Sequence, residues 1–563
     1  MASTELEQTS SNLHETLSHD SEAQILSNSS RNGGGWTTFP FIIGTVIGLT
    51  LSVSGCLGNL IVYLIEEFNM NSIDAAQISN VVSGCTCLLA IVGAVIADSF
   101  LGCFSVYFVS SCITLLGMIL FTLTATIDSL RPPPCEKGSN LCKGPTRSQF
   151  AVLYATMALA TVGLGGTRFT IATLGADQFD RPKNRDVFFN WWFFTMYTCS
   201  VIGLTVIVYV EDNVSWRWGF GICSIACFVG LIIFLSGTGF YRHHKSQGSP
   251  FVDIARVVVA SINKRKIELS SRSEDYFYDD DGKAKMVAAT PTNNFKLLNR
   301  AALKTEEDFG EDGSIAKPWR LCTVQQVEDL KALIKILPVW SSNIFISTPI
   351  AIQSSLTVLQ ALTLDRHIGS HFTIPAGSFQ VITLLSTSIF LTLIDRFLYP
   401  MWQKLTGQSP TPLQRISIGH AFNILGMAVS ALVESKRLKI AQNHHVQDHP
   451  GSLVPMLALW LFPQLILVGI GEAFHFPGQV ALCYQEFPES LKTTATAMVA
   501  IIMGIGFYLS TALVDLTRRV TRWLPDNINN GKLDNVYWMV TVVGVLNFGY
   551  FLVCAKFYKY QHV

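Results

Sequence analysis

Apolar residues in this chain gather into twelve runs of spanning length, at roughly 41–65, 78–97, 105–127, 150–174, 188–210, 217–238, 330–352, 376–399, 413–434, 453–476, 493–517 and 536–557. A helix needs about 20 apolar residues to cross the hydrocarbon of a bilayer, so each run predicts one spanning helix. Small-residue spacings such as Gly44-x-x-x-Gly48 suit helices that pack closely in lipid. One long polar interval, 239–329, divides the runs six and six. It carries the Lys264-Arg265-Lys266 cluster and the Asp279-Asp280-Asp281 run, and it reads as a solvated linker. The residues before the first run are rich in Ser, Glu and Asn and end in Gly33-Gly34-Gly35, the pattern of a disordered tail and not of a signal peptide. The expected organisation is a tail (1–40), a six-helix bundle (41–238), a linker (239–329), a second six-helix bundle (330–557) and a short tail (558–563).

Composition agrees with a membrane protein. Of 563 residues 14% are charged, where soluble chains carry about 25%, and 49% are hydrophobic. Basic and acidic residues balance at 40 each, with no basic stripe interleaved with aromatics, so nucleic acid is not an expected partner. The 13 cysteines are spread singly, most of them inside apolar runs, and form no zinc pattern. Cys135 and Cys142, in a polar Pro-rich loop, could bond if that loop faces an oxidising compartment. No Walker-type loop or His-Glu-x-x-His is present, and the pairs His243-His244 and His444-His445 read as loop residues; no enzyme activity, metal or cofactor is expected. With both termini placed inside, only the long interval favours the inside, where the positive-inside rule is weak. The short loops, with Arg518, Arg519 and Arg522 among them, tilt the other way, so charge does not settle orientation.

Several stretches resemble the plant nitrate/peptide transporter family, the proton-dependent oligopeptide transporters of the major facilitator superfamily. They are Ala97-Asp98-Ser99-Phe100-Leu101-Gly102, Gly163-Leu164-Gly165-Gly166-Thr167-Arg168, Gly175-Ala176-Asp177-Gln178-Phe179-Asp180, Gly469-Ile470-Gly471-Glu472-Ala473-Phe474 and Pro488-Glu489-Ser490. Asn59 to Phe68 and Glu472 to Gly478 are similar to the nitrate excretion subgroup of that family. The resemblance implies an all-α membrane protein with the major facilitator fold, twelve transmembrane helices in two six-helix bundles, both termini cytosolic and a substrate cavity at mid-membrane. Such halves rock about a fixed site.

Ionisable side chains inside a spanning helix are costly and mark function, and two stand out. Arg168 lies deep in the fourth run, and its planar fork of donors could grip a flat three-oxygen anion such as nitrate. The alternative is an arginine that snorkels to the membrane face. The family typically has Lys here, so Arg168 keeps the charge and changes the type. Glu472 sits in the tenth run. A lone carboxylate in such surroundings tends to be neutral unless a cation is near. By the family pattern it faces Arg168, so the two could pair when the cavity is empty; a plain inter-helix salt bridge is the rival reading.

The first helix lacks the family's Glu-x-x-Glu-Arg proton-coupling motif, whose positions Val46, Leu49 and Thr50 occupy. Either Glu472 alone carries a proton or transport is passive, and the second is preferred. Ile350 replaces a histidine that contacts nitrate in one relative, and Cys103 replaces the basic partner of Asp98, which leaves Asp98 as a helix-end or gating contact. The aromatics Phe188, Phe189, Trp191, Trp192, Phe193, Phe194 and Tyr197 suggest an interfacial belt with bundle packing; the alternative is that part of the cluster lines the cavity. The expectation is a passive carrier of small inorganic anions, nitrate foremost and chloride alongside, with net efflux across a plasma membrane. A proton-coupled carrier of a larger organic anion or peptide, and a non-transporting sensor, stay open. Partners are the anion, the lipid bilayer and, at the Ser- and Thr-containing linker, a regulatory kinase or protein that the residues do not identify.

Overall fold

The computed structural model describes residues 34–135, 143–242, 250–278, 291–305, 308, 319–370, 372–448, 452–486 and 495–558. The tail before Gly34, Cys142, His243-His244, the Asp279–Asp281 run, Pro488-Glu489-Ser490 and the last five residues lie outside these. Six helices form the first half: α1 (Phe39–Gly58, continued by Leu60–Glu66), α2 (Ser72–Ile96), α3 (Gly102–Thr126), α4 (Arg147–Ala176), α5 (Pro182–Ile202, continued to Asn213) and α6 (Trp216–Ser236). A linker helix, α7 (Pro250–Asn263), precedes the second half. That half comprises α8 (Val324–Leu362), α9 (Gln380–Leu393, continued to Thr406), α10 (Pro412–Asn443), α11 (Phe462–Glu486), α12 (Ala495–Val520) and α13 (Leu533–Phe557).

Among the described residues eleven apolar helical runs are long enough to cross a membrane, and one of them, Ser72–Thr126, is 55 residues long. At 1.5 Å per residue it would be about 80 Å, more than twice a bilayer's hydrocarbon. The chain reverses within it at Gly102, whose φ of 75° a side chain would resist. It is therefore two spans, and the total is the expected twelve. The helices overrun their apolar cores: α8 is 39 residues long and α10 is 32. The extra turns are polar and capped. Thr146 with Gln149, Thr323 with Gln326 and Thr411 with Gln414 form reciprocal capping boxes that start α4, α8 and α10.

Lipid supplies no hydrophobic drive between helices, so close backbone approach and buried polar bonds hold each half together. A methyl at Gly48 would stand 2.4 Å from the Ala226 carbonyl of α6, and one at Gly93 would stand 2.8 Å from Gly166 of α4. In the second half Arg437 is fully buried. Its guanidinium forks onto Glu434 at 2.6 and 2.8 Å and reaches Thr363 at 3.0 Å and Asn529 at 2.5 Å. Gln360 donates to Glu434 at 2.6 Å and accepts from Tyr537 at 3.1 Å, so one satisfied network joins α8, α10 and α13.

The interval expected as a solvated linker holds a packed core of its own. Val257 and Ala260 of α7 meet Tyr276, Ala301, Ala302 and Cys322, and the cluster continues onto Val324 and Val327 at the start of α8. Beside it Lys264 is wholly buried, donating to Asp308 at 2.6 Å and to the Leu303 carbonyl at 2.6 Å. Removing one partner of such a pair strands a buried charge at about 3–5 kcal/mol, whereas replacing both by apolar groups costs little. Asp308→Ala is expected to lower the melting temperature of the purified protein, and Lys264→Met with Asp308→Leu to recover most of the loss.

Candidate functional site

Arg168 is carried by the most glycine-rich stretch of α4. A methyl at Gly163 would stand 2.4 Å from the Thr114 backbone nitrogen of α3, and one at Gly165 2.5 Å from Leu89 of α2. The backbone of α4 is thus clamped between α2 and α3 while Arg168 projects to an exposed position. Its polar contact is Nη1 to the Cys87 sulfur at 3.4 Å, a weak acceptor. Among the described residues no carboxylate pairs with it.

Glu472 is set by the same device in α11. A methyl at Gly469 would press on Ser386 at 2.6 Å and on the Thr383 carbonyl at 2.8 Å, so α11 lies close against α9. Thr387 Oγ1 stands 3.3 Å from Glu472 Oε2, 3.2 Å from the Gly469 carbonyl and 2.9 Å from the Thr383 carbonyl. One hydroxyl proton serves only one of these acceptors at a time, so the carboxyl is lightly held. Tyr197 of α5 interacts with Glu472 electrostatically, which brings a first-half residue to the second-half carboxyl. The pair expected between Arg168 and Glu472 is not formed in this state, since no ion pair between them is found among the described residues.

The three positions of the absent coupling motif sit in packing. Val46 is 3% exposed in a core with Ile42, Tyr107 and Ile171, Leu49 packs against that core, and Thr50 is half-buried. Asp98 lies on the π-helical turn Ala97–Leu101 that ends α2, a helix-end position, but no side-chain cap bond is made there and the N-cap of α3 is Leu101. Asp177 and Cys103 are its electrostatic neighbours. Of the aromatic run, Phe188 is buried against Gly175 while Trp191, Phe193 and Phe194 are exposed, as a belt would have them. Cys135 is in a disulfide; its expected partner, Cys142, lies outside the described residues.

Apolar runs could not reveal how the halves are tied. Among the described residues the bonds between them cluster at the end opposite the linker. Arg366, in the hairpin after α8, pairs with Asp212 at 3.4 Å, and Ser378 donates to the Leu204 carbonyl at 2.6 Å. Phe372 stacks on Tyr209 with centroids 5.6 Å apart, and Arg518 pairs with Asp74 at 2.5 Å. Deeper in, Asn80 donates to Ser355 and Ser510, each at 3.2 Å. Polar residues in the terminal turns of otherwise apolar helices were the available signal.

Two helical halves tied by polar bonds at one end, with an ionisable side chain on a spanning helix of each, suit a secondary transporter. The chain belongs to the POT family, whose model matches residues 104–531. It is 54% identical over 550 residues to Protein NRT1/ PTR FAMILY 2.7 of Arabidopsis thaliana, covering 97% of each chain, and 54% identical over 549 residues to Protein NRT1/ PTR FAMILY 2.6, again at 97% of each. Its fold is that of an auto-inhibited POT family peptide transporter (TM-score 0.69, 17% identity, 94% of this chain and 98% of that one). A peptide transporter POT in complex with sulfate also matches (TM-score 0.61, 14% identity, 93% and 96%). The protein is a multi-pass membrane transporter of this family.

The Arg366–Asp212 pair is mostly buried, so its loss should shift the balance between latched and open states by about 1–2 kcal/mol, roughly a five- to thirtyfold change. Spin labels at Val214 and Ile368, both exposed at the latched end, should report a longer distance in Arg366→Ala. The charge swap Asp212→Arg with Arg366→Asp should restore the short one.

Proposed function

We propose that this transporter moves small inorganic anions, nitrate foremost and chloride alongside, by alternating access and without strong proton coupling. The observation that carries the reading is Arg168: a permanent cation held on a spanning helix, exposed, with a thiol as its described polar contact. A guanidinium in low dielectric attracts an anion, and its fork matches a planar oxyanion. Glu472, held by a single shared hydroxyl, is the partner that Arg168 takes when the halves close without substrate. Apolar packing at Val46 and Leu49 leaves the first helix no group there to titrate.

The latched end faces outward on this reading and the termini lie in the cytosol. The disulfide at Cys135 supports that orientation, because its loop lies at the latched end and disulfides persist in oxidising compartments. At a plasma membrane with an inside-negative potential, each 100 mV favours exit of a monovalent anion by about 2.3 kcal/mol, so passive flux runs outward. One structural neighbour, a peptide transporter POT, is described in complex with sulfate. Others are described as peptide transporters, and a larger organic cargo is the second reading.

Nitrate flux into proteoliposomes at clamped potential, with a pH dye inside and chloride or a dipeptide as competitor, tests the proposal. Flux should follow voltage, leave internal pH unchanged and fall with chloride. Flux that alters lumen pH in proportion to nitrate would overturn passive transport, and competition by dipeptide alone would favour the organic cargo.

A further inference from the structure

The second half encloses polar groups that neither the cleft nor the latch uses. His420 and Asn423 of α10 and Asn547 of α13 are 1%, 2% and 7% exposed. His420 Nε2, Asn423 Oδ1 and Asn547 Oδ1 have no hydrogen-bond partner. A buried polar atom left unsatisfied costs about 1–3 kcal/mol, so three on one surface need a ligand.

All three residues line one small cavity among α8, α10 and α13, which offers about 10 Å³ to the centre of a water molecule. A single buried water needs about that much, 10–15 Å³. Phe345 and Pro349 of α8 complete the wall. Pro349 sits inside the helix and has no N–H, so the Phe345 carbonyl lacks its usual helical donor. The amide orientations are set from the other side: Asn423 Nδ2 donates to the Gly419 carbonyl at 3.0 Å, and Asn547 Nδ2 to the Ser342 carbonyl at 2.9 Å. The two amide oxygens are thereby left as unpaired acceptors on residues of the cavity wall.

We propose that this cavity binds one structural water, which bridges His420, Asn423 and Asn547 at the proline bend of α8. The water gives its two protons to acceptors of the wall and accepts from His420 Nε2–H, which fixes the tautomer of that ring. An anion is a poor occupant, because the wall presents amide and carbonyl oxygens and the space is smaller than nitrate. The position has a mechanical meaning. Below Pro349, α8 is anchored to the linker core through Val324 and Val327; above it, Ser355 accepts the bond from Asn80 that ties the halves. The water supplies polar bonding where the helix gives up its own, so the upper segment can tilt while the lower one stays.

The test uses the full chain in lipid nanodiscs. A density map fine enough to show ordered waters should contain a peak 2.6–3.2 Å from His420 Nε2 and from at least one of the two amide oxygens. His420→Phe, Asn423→Leu and Asn547→Leu should each lower the melting temperature, since each strands the remaining polar atoms. The triple variant should lose far less than the sum. A map with these side chains ordered and no peak, or strictly additive losses, would overturn the proposal. So would a melting temperature that rises with sodium over choline, which would make the occupant a cation.

Discussion

A guanidinium carried on a spanning helix without a carboxylate beside it is the constraint around which this molecule is arranged. Burying an uncompensated cation in hydrocarbon costs several kcal/mol, so Arg168 must stay hydrated in a cleft, pair with Glu472 or hold an anion. Each option corresponds to a different relation between the halves. In the present state Arg168 is exposed and unpaired with Glu472, which rests on Thr387. Glycines at 163, 165 and 469 let α4 and α11 lie close against their neighbours, which fixes the backbone from which the two charged side chains project.

The forces that hold each half differ from those that hold the halves together. Within a half, backbones touch at glycines, and a fully satisfied Glu434–Arg437–Gln360 network leaves no low-cost way to slide. Between halves the bonds among the described residues are fewer and gather toward one end: ion pairs at Arg366–Asp212 and Arg518–Asp74 and a hydrogen bond at Ser378, with two bonds from Asn80 and a Cys85–Tyr508 contact deeper in. Rigid halves joined by a few replaceable bonds are what rocking requires. The linker adds a third element, since its packed core grips the start of α8 and couples the interval between the halves to the helix that reaches the latch.

Much of the architecture was legible along the chain. Twelve apolar runs and one polar interval gave the span count and the six-plus-six division, and Arg168 and Glu472 stood out because ionisable groups are rare in such runs. Helix ends were not legible: a capped polar turn at Thr323 starts α8 ahead of its apolar run, and α10 continues past its apolar run through polar residues to Asn443. The linker core was hidden by its surroundings: Val257 and Ala260 are too few to rise above the charges around them. Asp98, read as a helix-end or gating contact, lies on the turn Ala97–Leu101 and makes no side-chain cap bond there. The Arg168–Glu472 pair could not be judged from one sequence, since it depends on which state the halves occupy. The latch was invisible for a related reason, because Arg366 and Asp212 are 154 residues apart.

The most direct measurement is nitrate binding to the purified protein in nanodiscs, compared between the native chain, Arg168→Lys and Arg168→Gln. A charge-assisted hydrogen bond contributes about 1.5–3 kcal/mol, so the glutamine variant should bind about tenfold or more weakly. The lysine variant, which keeps the charge, should lose less. Saturable binding of unchanged affinity in Arg168→Gln would contradict the account, because the anion would then be held by some other part of the molecule.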